Sequence, residues 1–231
     1  MKKEFSIRPE FISEEYCKAC ASSWQGFITG MPSQVFLVTG WKANGRENAC
    51  LQSWSTFVNG GPDDFIFIMG YVPKHGHMYK SLKKTGVCVL NFPSKDVYER
   101  CIKTIGNNGW ETDEITAAGL TAEPATKVNA PRIKECFLNI ECELLWERKL
   151  CKGSRDMTVA LRAVNICMDS DRYDQNKLGR YGKTGYLYYI DQPTNPETGE
   201  GLIWGPDGTV TGPIFGPGTI EPGEPMEWNT K

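Results

Sequence analysis

Histidine is almost missing from this chain, with two in 231 residues, His75 and His77. A zinc site built on one C-x-x-C needs a second cysteine pair or two well-spaced histidines, so the lone Cys17 and Cys20 pair is assigned to helix packing and not to a metal. A thioredoxin-type role for that pair would require a βαβ setting that this region lacks. Long apolar runs are missing too. Nowhere do the roughly 18 apolar residues of a spanning helix follow one another, and MKKEFSIRPEF has no apolar stretch after its lysines. The expectation is a cytoplasmic protein, neither secreted nor membrane-spanning. Basic charge is not in excess: the net charge is -2, which offers no field for a phosphate backbone and argues against a nucleic-acid partner. No G-x-G-x-x-G follows a strand-like run, so a Rossmann dinucleotide domain is not expected. Gly182, Lys183 and Thr184 stand in series, yet position 177, where a phosphate loop needs another glycine, is Lys177.

What is present is a soluble globular composition, 40% hydrophobic and 23% charged. The nine cysteines are an odd number without a repeating spacing, so reduced thiols acting as small hydrophobes are expected, not a disulfide framework. Short apolar or alternating runs at 35–38, 49–57, 65–71 and 87–92 are bounded by Gly, Pro and Asn, as strands require. In 137–146, Leu138, Ile140, Cys142, Leu144 and Trp146 share one face while Asn139, Glu141 and Glu143 share the other, the pattern of a half-buried antiparallel sheet. The run 157–168 continues it. Ser94 is placed to cap a helix over 95–106, a shorter helix over 78–85 is ended by Gly86, and Ser13 opens a helix over 13–25. From Thr194 the chain is too rich in Gly and Pro for a helix or central strand. Its apolar residues Ile203, Trp204, Ile214, Phe215, Ile220, Met226 and Trp228 suit an extended arm lying on the barrel or on a partner subunit. The expected organisation is one mainly β domain with a few helices over 1–192, closed as a small antiparallel barrel, and a Gly/Pro-rich C-terminal arm over 193–231.

Residues 45–57, GRENACLQSWSTF, and 65–92, FIFIMGYVPKHGHMYKSLKKTGVCVLNF, resemble the flavin reductase family. The matching positions are Val38 and Thr39, Gly45, Asn48 and Ala49, Ser53, Trp54, Ser55 and Thr56, then Gly86 and Asn91. The segment APRIKECFLNIECELLWE, 130–147, is similar to the family's A-P-R-I-x-E segment, and the likeness covers roughly 30–190. It implies an FMN-binding split β-barrel of antiparallel Greek-key type. It also implies a homodimer with its flavin sites at the subunit seam, the apolar tail fitting a clasp between subunits. The implied chemistry is an FMN-dependent oxidoreductase that takes hydride from NADH or NADPH and passes electrons to a second acceptor. Two alternatives remain open: a flavoredoxin-like electron carrier served by a redox protein partner, and a non-catalytic FMN-binding protein.

The resemblance places Asn48, Ala49 and Cys50 along the isoalloxazine edge, their backbone groups reading the ring, with Trp54 over a ring face. An FMN phosphate carries about two negative charges and is served by hydroxyls, N–H groups or cations. Ser53, Ser55 and Thr56 offer the hydroxyls, and His77, Met78, Lys80 and Lys83 lie at or near the start of the short helix. Read without the resemblance, Ser53, Ser55 and Thr56 are solvent-facing strand residues and Trp54 is core. Tyr181, with Arg180 and Tyr186, either approaches the flavin or closes the barrel end. The family commonly starts its short helix with Thr; Met78 stands there, so His77 or a main-chain N–H takes over the phosphate. Its Asp-His pair before the last barrel strand is replaced by Arg155 and Asp156. No side-chain acid, base or nucleophile is assigned.

Overall fold

The computed structural model describes residues 1–10, 12, 14, 23–29, 31, 33–173 and 186–189, and the backbone of 214–215. Cys17, Cys20, Arg180, Tyr181, most of the expected 13–25 helix and most of the 193–231 arm lie outside the described residues. In chain order the elements are α1 (Trp24–Thr29), β1 (Ser33–Gln34), β2 (Phe36–Trp41), β3 (Glu47–Gln52), β4 (Ser55–Gly61), β5 (Asp64–Val72), α2 (His77–Thr85), β6 (Val87–Phe92), a 3₁₀ turn (Lys95–Val97), α3 (Tyr98–Gly106), α4 (Glu114–Ala117), β7 (Ala122–Pro124), β8 (Pro131–Ile133), β9 (Leu138–Lys149), β10 (Met157–Met168), a second 3₁₀ turn (Ser170–Arg172), β11 (Tyr188–Tyr189) and β12 (Ile214–Phe215). No helix among the described residues is long and apolar enough to cross a membrane.

Seven strands make one antiparallel sheet in the order β3-β2-β6-β9-β10-β5-β4. Consecutive strands β3 and β4 occupy its two edges, although only Ser53 and Trp54 separate them in the chain. The sheet must therefore curl until those edges meet. The Gln52 amide of β3 reaches Tyr71 C=O of β5 at 3.4 Å across the seam, and Trp54 C=O accepts Gly70 N–H at 2.9 Å, which leads into the β4–β5 pairing. This corrects the single strand expected over 49–57: its first half pairs with β2 and its second with β5, at opposite ends of the sheet.

Alternation sorts the strand residues into two cores. Phe36, Val38, Phe67, Met69, Leu90, Ile140 and Leu161 fill the barrel, closed on one side by Met78 and Leu82 of α2. Leu37, Ala49, Val97, Cys101, Ile115 and Ile133 form a second core, where β2 and β3 meet α3 and α4. Strand β2 is thus buried on both faces, which its unbroken apolar run anticipates.

The polar face of β9 departs from the half-buried expectation. Asn139 and Glu141 are buried, because residues 121–133 fold back over them. The Asn139 amide donates to Asn91 Oδ1 at 2.9 Å, and Asn91 in turn bonds Thr39 Oγ1 and Leu37 C=O. Glu141 accepts the N–H groups of Thr126, Lys127 and Val128 and the Asn165 amide. The motif residues Thr39 and Asn91 therefore fasten β2, β6 and β9 together and do not point at a ligand.

Helix boundaries moved modestly. The expected 95–106 helix opens as a 3₁₀ turn, and Ser94 makes no side-chain capping bond. Gly86 ends α2 as expected: its φ of 71° is left-handed and its N–H returns to Leu82 C=O at 2.8 Å. In α1 the cap is Ser23, whose Oγ accepts Gly26 N–H at 3.0 Å. Of the arm, Ile214–Phe215 adds to β11, which itself pairs with β1, so a short edge strand forms where none was expected.

Candidate functional site

Where the curled edges approach α2, a cavity of about 440 Å³ opens, within the roughly 300–1,000 Å³ of small-molecule sites. Its wall brings together seven of the residues singled out from the sequence: Asn48, Ala49 and Cys50 of β3, Ser53 and Trp54 at the edge-closing corner, and His77 and Met78 at the start of α2. Ser55 and Thr56 are not part of it. They run along β4 opposite Met69 and Ile68. Lys80 and Lys83 stand on the exposed face of α2, and Lys83 pairs with Glu147 at 2.6 Å.

The wall is chemically uneven. Asn48 is 2% exposed, and its Nδ2 has no hydrogen-bond partner among the described residues. A buried amide donor without a partner costs about 1–3 kcal/mol, so a lone one on a cavity wall marks a place where a ligand acceptor is missing. Beside it, α2 starts at Gly76, whose backbone is extended, with no side-chain cap and no acidic residue in the first turn. The first N–H groups of such a helix carry partial positive charge and suit an anion. Cys50 is a neutral wall element: burial, only partly offset by the Gln52 amide, pushes its thiol up to about 11.

The aromatic side of the wall rests on a β-bulge. Between the pairs Met157↔Val72 and Val159↔Met69, β5 carries one residue more than β10. Tyr71 absorbs the mismatch with φ of 52°, a left-handed conformation costing a non-glycine residue roughly 1–2 kcal/mol. The bulge brings the Tyr71 ring against Trp54, centroids 4.7 Å apart, and Trp54 also meets Tyr189 edge-on at 6.2 Å. Sequence reading missed Tyr71 because nothing in a β pattern announces a bulge.

It also missed the charges behind the wall. The Ala49 N–H, expected to read a ring edge, instead donates to Glu114 Oε2 at 2.7 Å. The reason is β-alternation: Ala49 and Glu47 turn their N–H groups away from β2, toward the start of α4, where Asp113 accepts Glu47 N–H at 3.1 Å. That bond, then the Arg46 guanidinium, holds the Asp113 carboxyl below the usual carboxylate range. Glu114 Oε1 pairs with Lys42 Nζ at 2.7 Å, both side chains fully buried. Only the tertiary fold brings these groups together.

The sequence model of the flavin reductase like domain matches residues 28–192. The chain is 38% identical to an uncharacterized protein of Aquifex aeolicus (strain VF5) over 117 residues, 48% of this chain and 58% of that protein. It spans about half the length of the curated relatives it matches. Among solved structures it is similar to nitrilotriacetate monooxygenase component B from Bacillus cereus, with a TM-score of 0.72 and 16% identity over 97% of this chain and 100% of that one. It is also similar to a split-barrel protein of the flavin reductase type from Shewanella frigidimarina NCIMB 400, with a TM-score of 0.67 and 16% identity over 93% and 98% of the two chains. At such identity these two likenesses concern the fold, and the fold is the split barrel.

Proposed function

The chain belongs to the flavin reductase-like domain family, and from that premise we propose that it binds FMN in the cavity beside α2 and works as an NAD(P)H-dependent oxidoreductase. The observation that carries this reading is the unpartnered, buried Asn48 amide on the wall of a cavity that also meets an uncapped helix start. FMN offers carbonyl and ring-nitrogen acceptors for such an amide and a phosphate for such a helix start, so the donor set fits the group. In this reading Asn48 Nδ2 donates to an acceptor of the ring. By the alternation that turns the Ala49 N–H to the outer side of β3, Leu51 N–H faces the same way and offers a backbone donor.

The N–H groups at the start of α2, with His77, receive the phosphate, and the lost threonine hydroxyl at Met78 is thereby replaced. Trp54 and Tyr71 provide an aromatic wall that excludes water. Bound FMN supplies the two-electron chemistry, and the protein's share is orientation, charge and exclusion of solvent. Ser55, Thr56, Lys80 and Lys83 have no part in the site proposed here. A homodimer, with the C-terminal arm as a clasp, belongs to the same proposal.

The test is the visible spectrum of the purified protein before and after anaerobic addition of NADH or NADPH. A yellow protein that bleaches supports the oxidoreductase. Bleaching by a reduced ferredoxin and not by nicotinamide makes it a flavoredoxin-like carrier, and no bleaching leaves a non-catalytic FMN-binding protein. A colourless protein that takes up no FMN in a calorimetric titration overturns the flavin reading.

A further inference from the structure

Glu114 is 1% exposed and engaged through both oxygens. Oε2 holds the Ala49 N–H of β3. Oε1 takes Lys42 Nζ at 2.7 Å and stands 3.5 Å from His77 Nδ1, the long end of hydrogen-bond reach. Lys42 is itself spoken for: its Nζ also donates to Gly109 C=O at 2.6 Å and Thr112 C=O at 2.8 Å, so all three ammonium protons are placed. The lysine has no donor left for a ligand. Its charge balances Glu114, and the buried pair is neutral as a unit.

His77 is the third member, and it lines the cavity together with Glu114. Its side chain is 18% exposed, its ring lies edge-on to Trp110 at 5.4 Å, and Nε2 makes no hydrogen bond among the described residues. A carboxylate can only accept, so the contact requires the proton on Nδ1. Which nitrogen of a histidine carries the proton is set by the bond its other nitrogen makes.

We propose that Glu114, charge-balanced by Lys42, is a positioning residue that fixes a proton on His77 Nδ1 and so turns Nε2 toward the cavity, where it takes up a proton with FMN and donates a hydrogen bond to the phosphate monoester. One carboxylate then joins the strand that reads the ring to the helix start that holds the phosphate. The phosphate half of this proposal rests on the flavin reading; the tautomer half does not. The groups placed against His77 are Glu114 Oε1 and the Trp110 ring, with the Lys42 ammonium on the far side of the carboxylate.

Because the chain has only two histidines, nitrogen NMR can read this directly. In a His75→Asn background, at about pH 8 where an ordinary histidine is neutral, the remaining ring is expected to show protonated Nδ1 and bare Nε2, opposite to the free side chain. Nε2–H as the dominant form overturns the positioning role. The paired variant Lys42→Met/Glu114→Leu removes both charges and the acceptor facing Nδ1, and is expected to return His77 to the Nε2–H form. Retention of Nδ1–H in a folded paired variant also overturns it.

On titration the Nε2 resonance is expected to move with FMN and not with riboflavin, which lacks the phosphate. His77→Asn is expected to weaken FMN roughly tenfold or more, the scale of a lost charge-assisted bond, and to leave riboflavin affinity within twofold. Equal loss for both flavins removes the phosphate contact. If neither flavin binds, the flavin reading and the phosphate contact both fail, while the tautomer measurement still decides the role of Glu114.

Discussion

Replacing Asn48 by leucine is expected to make the empty protein more stable and the flavin-loaded protein worse. The side chains share the same branching and number of heavy atoms, and Leu suits a strand better than Asn does. The replacement deletes a buried donor that has no partner, an arrangement costing about 1–3 kcal/mol. A gain of about 1–2 kcal/mol is therefore expected without ligand, read as a higher urea midpoint at unchanged slope. At roughly 2–4 °C per kcal/mol for a chain of this size, the melting temperature rises by about 2–8 °C.

With FMN present the order reverses. Wild type gains about 2.7 kcal/mol at a hundredfold excess over Kd. Asn48→Leu, with an apolar group at the ring edge, is expected to bind about a hundredfold more weakly and to gain only about 0.4 kcal/mol at the same FMN concentration. The two melting curves should cross as FMN is added. The reasoning is refuted if Asn48→Leu lowers the stability of the empty protein, which would show the amide to be satisfied, or if it binds FMN as wild type does.

Glu141 is held below the ordinary carboxylate range. Burial pushes it up, and the N–H of Thr126, the Asn165 amide and the N–H groups of Lys127 and Val128 outweigh that. A folded-state pKa below the unfolded value of about 4.3 stabilises the fold above that pH, and the contribution disappears as pH falls through the folded value. Glu141→Gln is expected to cost about 1.5–3 kcal/mol at pH 7 and to flatten the acid limb of a stability-pH profile from urea melts; an unchanged limb would refute this. Lys42→Met alone should cost about 3–5 kcal/mol by stranding the Glu114 charge, with much of the loss recovered in Lys42→Met/Glu114→Gln. Additive losses in a double-mutant cycle would contradict that coupling. Lys83→Ala should leave both melting temperature and FMN affinity unchanged, since its partner Glu147 is met at the solvent-exposed surface; a weakened FMN titration would place Lys83 in the site after all.

Seven of the candidate residues line one cavity because they fall on two short stretches, β3 with the corner after it and the start of α2, that the fold brings together. Ser55, Thr56, Lys80 and Lys83 lie off that wall. Two residues past the corner the chain is on the opposite edge of the sheet, and one turn along α2 it faces solvent. Residue type at a given spacing cannot report such a change of direction. Glu114, Lys42 and Tyr71 carried no signal at all. Buried charges and bulges are recognised by partners distant in sequence, such as the 65 positions between Ala49 and Glu114.

The sequence by itself determined the antiparallel strands, through period-two alternation, the end of α2 at Gly86, through a left-handed position that glycine accepts, and membership of the family, through the order of its motifs. Tertiary structure alone decided that β3 and β4 stand at opposite edges of a curled sheet, that Asn139 and Glu141 are buried under a returning segment, and that a lysine, a glutamate and a histidine meet at the cavity wall. Alternation is local and survives in any arrangement of neighbours. Burial and charge pairing depend on which distant segments arrive, and sheet closure settles that.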